Sequence, residues 1–165
     1  MRTHLHIIAA MLVLVGCGPS SATRVEENAL GWVDRTVLAN DAHRAYQAVY
    51  DTCTIAPEFV EMISQVKGDV EYLVFFGTWC GDSRRHVPRF LKIADETGIP
   101  ASRIRLYGLD RTKKSADGLT ERYAIERVPT FILLKGGTEV GRITELPTTS
   151  MEADLLTLLV EASRR

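Results

Sequence analysis

Residues 72–83 read Tyr-Leu-Val-Phe-Phe-Gly-Thr-Trp-Cys-Gly-Asp-Ser and carry the strongest structural signal in the chain. Its first five residues form a continuous apolar, β-prone run, which is typical of a strand buried on both faces. Gly77 ends the run, and the apolar spacing over 83–97 predicts a helix that stops at Gly98. Cys80 therefore stands where a buried strand passes into a helix.

Outward from this junction, hydrophobic periodicity predicts alternating helices and strands. Residues 42–50 fit helical and strand spacing alike, and we favour a helix there. The other predicted helices cover 26–38, Pro57 to Gly68, 119–123 and a last helix that a Thr149-x-x-Glu152 capping box begins. The other predicted strands are 104–109 and the hairpin partners 130–134 and 139–143. The order predicts an α/β fold, a central mixed sheet flanked by helices.

Length, composition and net charge exclude several classes of protein. The chain has 165 residues, which is room for one ordinary domain. Apolar residues make up 45% and charged residues 25%, so the composition is that of a globular protein and excludes a disordered chain. The formal net charge is −1, and no basic run interrupts the sequence, so we expect no nucleic-acid partner.

Three features together resemble the thioredoxin family. Residues 79–83 match the Trp-Cys-Gly-x-Cys turn of that family, with Ser83 where the second cysteine belongs. Pro88 matches the proline in the active-site helix, and Val128-Pro129 matches the segment that holds the family's cis-proline. The resemblance covers roughly 57–163 and implies a thioredoxin-like fold, with 26–56 as an N-terminal helical extension. Within the family, residues 77–83 and 87–90 look most similar to the extracytoplasmic thioredoxin-like proteins of bacteria.

Cys80 is the candidate nucleophile. At the start of a helix its sulfur faces unpaired backbone N–H groups and the positive end of the helix dipole, which favour the reactive thiolate. Arg84 and Arg85 act in the same direction, and Asp82 opposes them. The alternative is an inert cysteine buried on a core strand.

Ser83 separates this sequence from the dithiol members of the family. A hydroxyl cannot form an S–S bond, so Cys80 and residue 83 cannot complete a redox cycle by themselves. We expect monothiol exchange, with Ser83 donating a hydrogen bond to the Cys80 thiolate or capping the helix. The family's buried acid is also missing, since Val74 occupies its place. A redox-inactive binding or chaperone module is the alternative function.

The resemblance also implies roles for the neighbours of Cys80. Trp79 shapes the approach of a substrate, and Val128 with Pro129 offers backbone pairing to an extended substrate. His86 could tune Cys80, although a solvated surface position is the simpler expectation. Arg111, Lys113 and Lys114 form either a solvated loop or a contact for an acidic partner.

Cys53 is a possible resolving thiol. It lies just before the helix that begins at Pro57, and we expect that end of the helix to lie at the same pole of the sheet as Cys80. Exchange with Cys80, a free thiol and pairing with a partner protein all stay open. The cysteines and histidines lack the paired short spacing of a zinc site, so we predict no metal and no cofactor.

The N-terminus predicts where the protein acts. Arg2 and the apolar run over 7–15 are typical of a secretory signal peptide, and the run is too short to span a bilayer. The Leu-Val-Gly-Cys sequence at 14–17 resembles the lipobox of bacterial lipoproteins, which implies a signal peptide over 1–16 and a lipid on Cys17. An ordinary secretory signal is the alternative.

Residues 17–25 are predicted to tether the domain to a membrane. We therefore expect an extracytoplasmic protein that is lipid-anchored to a bacterial membrane. Gly18 in place of Asp favours the outer membrane and its periplasmic face. The expected partners are extracytoplasmic protein thiols or disulfides, together with the membrane that holds the anchor.

Overall fold

A computed structural model describes residues 28–165. The predicted signal peptide, the predicted lipidation site Cys17 and the predicted tether lie outside the described residues. The strands are β1 (Gly31–Val33), β2 (Glu71–Phe76), β3 (Ile104–Gly108), β4 (Thr130–Lys135) and β5 (Thr138–Thr144). The α-helices are α1 (Arg44–Thr52), α2 (Pro57–Val66), α3 (Gly81–Glu96), α4 (Leu119–Arg122) and α5 (Met151–Ser163). Short 3₁₀ helices cover Arg35–Ala39, Asp41–His43 and Ala101–Arg103.

The five strands form one mixed sheet in the order β1-β3-β2-β4-β5. Central β2 runs parallel to β3 and antiparallel to β4, so Val74 lies between Leu106 and Phe131. The outer pairs, β1 with β3 and β4 with β5, are antiparallel. This topology confirms the thioredoxin-like α/β fold with a central mixed sheet and flanking helices.

Alternation along β2 separates the core into two layers. Tyr72, Val74 and Phe76 face a large cluster that includes buried residues of α1, α2, α3 and α5. Leu73 and Phe75 face a smaller cluster against which α4 packs. Because successive strand residues point to opposite faces, a strand covered on both sides must be apolar throughout, as β2 is.

The segment before α1 differs from its prediction. The helix expected over 26–38 is wrong: residues 31–33 form β1, and Arg35–Ala39 is a 3₁₀ helix that Asp34 caps by accepting a hydrogen bond from Thr36 N–H. Gly31 has a φ of +72°, which a helix does not accommodate, and Trp32 packs edge-on against Tyr107 of β3. Pairing with the neighbouring strand β3 outweighs the local apolar spacing.

The N-terminal cap of α5 also differs from its prediction. Ser150, and not Thr149, is the cap residue, and its hydroxyl accepts a hydrogen bond from Ala153 N–H at 3.1 Å. Glu152 does not complete a capping box, because it is buried and forms an ion pair with Arg89 of α3 at 2.5 Å. The cap therefore lies one residue later than the capping box predicts.

Candidate active site

The site lies at one edge of the sheet, where four loops converge. The carboxyl ends of parallel β2 and β3 meet there. Antiparallel pairing brings the start of β4 and the end of β5 to the same edge. The topology therefore places Cys80, the loop after Leu109 and the Val128-Pro129 segment beside one another.

Cys80 is the N-cap residue of α3, with extended backbone dihedrals of −86° and 127°. A tight turn carries the chain from β2 to this position, since Cys80 N–H donates to the Gly77 carbonyl at 2.9 Å. The Cys80 side chain is half-buried and makes no hydrogen bond that caps the helix. Its sulfur therefore stands at the N-terminus of a sixteen-residue helix.

The Cys80 thiol points at the Val128-Pro129 segment. Its sulfur donates to the Val128 carbonyl at 3.3 Å, and the Val128-Pro129 peptide bond is cis. The Pro129 carbonyl accepts a hydrogen bond from Glu145 N–H at 2.7 Å, so the end of β5 supports the segment from behind. Cys80 and the predicted substrate-pairing residues are thus brought together.

Trp79 covers one side of the turn. Its indole N–H donates to the Leu109 carbonyl at 2.8 Å, and the Arg111 guanidinium lies 4.9 Å from the ring centre. Gly77 makes room for this ring, because a Cβ at position 77 would lie 2.6 Å from the indole. Trp79 packs in one apolar cluster with Cys80 and Val128, so it forms a wall beside the thiol.

Ser83 is fully buried and has a structural partner. Its hydroxyl accepts a hydrogen bond from Gly77 N–H at 3.2 Å, which fastens the end of β2 to the first turn of α3. Ser83 is the third residue of α3, so the predicted capping role is wrong: Cys80 holds the cap position. Val74, at the place of the family's buried acid, is also fully buried.

Cys53 is not beside Cys80, so the expectation that the two share a pole is wrong. Its thiol donates to the Tyr50 carbonyl at 3.6 Å, and Tyr50 hydroxyl donates to Asp95 near the far end of α3. The next residue, Thr54, accepts a hydrogen bond from Arg89. Cys53 thus lies alongside the middle of α3, about 15 Å from Cys80 at ~1.5 Å per helical residue.

That separation rules out a disulfide in this conformation, since bridged cysteines need Cα atoms within about 7 Å. Both thiols are free in the described chain. Burial raises the pKa of the Cys53 thiol above its ordinary value. Cys53 therefore holds less of the reactive thiolate at neutral pH than an exposed cysteine does.

His86 is buried, contrary to the solvated position expected for it. Only 9% of the residue is exposed, and within residues 28–165 neither ring nitrogen has a hydrogen-bond partner. Burial lowers the pKa of the imidazole, and the neighbouring Arg85 acts in the same direction. His86 is therefore a neutral part of the α3 packing at neutral pH.

Two neighbouring arginines of α3 have different partners. Arg84 Nε donates to the Thr78 carbonyl at 2.8 Å, and Arg85 lies 3.9 Å from Asp82 in an exposed ion pair. Arg84 therefore supports the backbone in front of Cys80. The Asp82 carboxylate, which was expected to oppose the thiolate, has Arg85 as its partner.

An ion pair beside the cis-proline segment was not foreseen from the sequence. Arg127 contacts Glu145 at 2.5 Å, and this contact raises the pKa of the Arg127 guanidinium. Glu145 has a φ of +63°, and the next residue, Leu146, is an exposed apolar side chain. The two partners are 18 positions apart, and only the β4-β5 pairing joins them, so no local pattern could have revealed the contact.

The described chain offers neither a metal cluster nor a membrane-spanning helix. Across residues 28–165 no group of three or more His, Cys, Asp or Glu side chains is arranged to hold a metal ion. Over the same residues no helix has both the length and the apolarity that crossing a bilayer requires.

Comparison with known proteins finds several thioredoxins among the sequences similar to this chain. A family model described as thioredoxin matches residues 34–157. A thioredoxin of Chlamydia pneumoniae is 36% identical over 72 residues, which are 44% of this chain and 65% of that protein. An H-type thioredoxin of Oryza sativa subsp. indica is 29% identical over 101 residues, which are 60% of this chain and 78% of that protein.

Solved structures include a Pseudomonas aeruginosa protein of unknown function, with 17% identity and a TM-score of 0.48. That match covers 73% of this chain and 78% of the other. A Fasciola hepatica thioredoxin has 26% identity and a TM-score of 0.35, with 51% of this chain and 75% of that one covered. The family match spans strands β2 to β5, helix α3 with Cys80 at its start, and the cis-proline segment, and the chain belongs to the thioredoxin family.

Proposed function

We propose that the protein performs monothiol thiol-disulfide exchange through Cys80 on extracytoplasmic proteins. One observation carries the proposal: the Cys80 thiol stands at the N-terminus of α3 and points at the Val128 carbonyl beside a cis-proline, while residue 83 is a buried serine. The attacking group of a thioredoxin site is thus present, and its resolving thiol is replaced.

The exchange takes two steps. The Cys80 thiolate attacks one sulfur of a substrate disulfide, the S–S bond breaks, and the second substrate sulfur leaves as a thiolate that takes a proton. The Cys80 mixed disulfide must then be discharged by a thiol from outside the site. Ser83 has no sulfur and Cys53 lies about 15 Å away, so neither residue can perform this step.

Substrate binding is assigned to the surface around the thiol. Trp79 forms the wall on one side of Cys80, and Val128 with Pro129 presents backbone to an extended chain on the other. Backbone pairing of this kind gives affinity without demanding a particular side chain.

We further propose that a lipid on Cys17 anchors the domain outside the cytoplasm. The support is the apolar run over 7–15 followed by the lipobox-like 14–17, together with the small polar residues 18–23. Labelled fatty acid should be incorporated into the full chain and not into a Cys17→Ser variant. Labelling of both chains, or of neither, would contradict the anchor.

The exchange chemistry is tested by trapping. Full-length protein, a Cys80→Ala variant and a Cys53→Ala control are recovered from cells whose thiols are blocked with alkylating agent, and are separated on non-reducing gels. We expect mixed-disulfide adducts with the wild type and with Cys53→Ala, and none with Cys80→Ala. Partners that are recovered without a covalent bond, equally by all three chains, would instead support a redox-inactive binding module.

A further inference from the structure

One surface groove borders the apolar cluster against which Trp79 and Cys80 pack, and the role assigned to it rests on the proposed exchange function. The groove has a volume of about 450 Å³ and lies between the loop after β3 and the segment after α4. Its lining consists of Thr112, Lys113, Lys114, Thr120, Glu121, Ala124, Ile125 and Glu126.

Two contacts connect the groove with the thiol. Ile125 in the groove wall packs in the same apolar cluster as Trp79, Cys80 and Val128. Arg111, which immediately precedes the groove residue Thr112, lies over the Trp79 ring. A ligand joined to the Cys80 sulfur can therefore extend past Trp79 into the groove.

The charges of the groove are available to a ligand. Among residues 28–165, the ammonium groups of Lys113 and Lys114 form no ion pair, in contrast to Arg85 and Arg127, whose carboxylate partners are Asp82 and Glu145. Carboxylates of Glu121 and Glu126 line the same groove. The surface thus offers two cations for carboxylates and, close by, two anions for an ammonium group.

We propose that this groove binds a small peptide thiol with free carboxylates and an ammonium group, of the glutathione type, while that thiol is joined to Cys80. The substrates of the exchange are then mixed disulfides between a protein and such a peptide. The lysines hold the carboxylates, the glutamates hold the ammonium group, and Trp79 packs on the aliphatic part near the sulfur.

The reaction balances without a second protein thiol. The Cys80 thiolate attacks the peptide sulfur of the mixed disulfide, and the freed protein thiolate takes a proton. A second peptide thiol, as thiolate, then attacks the peptide sulfur on Cys80, and Cys80 leaves as a thiolate. The sum converts one protein-peptide disulfide and one peptide thiol into a free protein thiol and the peptide disulfide.

The test compares two disulfide probes that differ in charge. Full-length chains with Cys17→Ser and Cys53→Ser keep Cys80 as their single thiol, and intact mass follows its modification by oxidised glutathione or by neutral 2-hydroxyethyl disulfide. We expect Lys113→Gln with Lys114→Gln to slow the reaction with oxidised glutathione roughly fivefold and to leave the neutral probe unchanged, since exposed ion pairs contribute fractions of a kcal/mol each. Added salt should likewise reduce the preference of the wild type for oxidised glutathione over the neutral probe.

A matched control removes two positive charges elsewhere, with Lys92→Gln and Arg164→Gln, and should react like the wild type with both probes. Equal slowing in the control, or no slowing in the groove variant, would overturn the groove assignment while leaving exchange at Cys80 intact. Failure of Cys80 to react with either probe would overturn the proposed function itself, and the groove assignment with it.

Discussion

Ser83 shows how a single side chain changes the chemistry of a site without changing its shape. The residue is fully buried, and its hydroxyl binds Gly77 N–H at the end of β2. An unpaired buried N–H is costly, so the serine satisfies a backbone group that the fold needs satisfied. The position keeps its structural contact and lacks only the sulfur.

Restoring that sulfur should restore a dithiol site. Residues 80 and 83 are three positions apart across the first turn of α3, where side chains approach within reach of a disulfide. In a Ser83→Cys variant we expect air oxidation to close an intramolecular disulfide between positions 80 and 83, seen as the loss of two free thiols in a monomer. A Ser83→Cys, Cys80→Ser double variant should keep its thiol. Free thiols at positions 80 and 83, or dimers, in the single variant would contradict the predicted geometry.

Removing the hydroxyl tests its structural role separately. Ser83→Ala leaves Gly77 N–H buried without its acceptor, so we expect the free energy of unfolding to fall by about 1–2 kcal/mol. Urea denaturation of this variant and of an exposed control, Ser102→Ala, measures the difference. A loss of the same size in the control would assign the effect to something other than the Gly77 hydrogen bond.

His86 should make the stability of the fold depend on pH. The folded-state pKa is lowered by burial and by Arg85, with Arg89 acting in the same direction and Asp82 opposing. The unfolded chain therefore binds the proton more tightly, and stability is lost as pH falls below about 6.5, the ordinary value. We expect the midpoint of urea unfolding to fall between pH 7.5 and 5.5.

The comparison with His86→Met isolates this contribution, because methionine fills a similar volume and does not titrate. The variant should lose less stability than the wild type over the same pH interval. An equal loss in both proteins would mean that other groups carry the pH dependence.

At the scale of elements, α5 shows that a cap depends on the backbone as well as on residue type. Thr149 and Ser150 both have a suitable hydroxyl, but only Ser150 binds the N–H of the third helical residue. We expect Ser150→Ala to lower the free energy of unfolding by about 1 kcal/mol and Thr149→Ala to leave it nearly unchanged. Thermal or urea unfolding of the two variants decides between them, and a larger effect at Thr149 would restore the capping box.

The helices and strands that were predicted correctly are those whose local sequence fits a single type of structure. Strand β2 is apolar throughout because both its faces are covered, and helix α2 begins at Pro57 because the first helical turn does not need the missing N–H. The hairpin between β4 and β5 turns at Gly136 and Gly137, which both have positive φ values that glycine adopts without strain.

The prediction for 26–38 failed because its outcome depends on a partner far along the chain. Residues 31–33 become a strand only because β3 offers an open edge, with Trp32 beside Tyr107. The Arg105 guanidinium lies 3.9 Å from the Trp32 ring centre and adds a second contact across the same pair of strands. Short-range periodicity does not contain this information.

At the scale of the whole molecule, Gly108 decides whether β1 can join the sheet. A Cβ at this position would overlap the Ala29 carbonyl, so only glycine allows the N-terminal segment to approach β3. We expect Gly108→Ala to release this segment, with faster proteolysis near residues 28–33 and a change in Trp32 fluorescence.

A Gly81→Ala control, where an added Cβ meets nothing within 4 Å, should be cleaved like the wild type. Equal protease sensitivity of wild type and Gly108→Ala would show that β1 tolerates the extra methyl group. The pair of variants therefore separates the close approach of β1 from a general effect of replacing glycine.

Residue patterns alone predicted four of the five strands and the strand-to-helix junction at Cys80. The resemblance to the thioredoxin family added the Val128-Pro129 segment facing Cys80 and showed that the motif lacks its second cysteine. The strands and the junction depend on local apolar patterns, and the other two features depend on residues that match motifs of the family. The structure was needed to show that Cys53 is remote from Cys80, that His86 is buried, that Ser83 binds Gly77, and that Arg127 contacts Glu145. Each of these depends on which elements pack together, because a contact between distant segments is set by the distance and direction of both side chains, and residue type alone specifies neither.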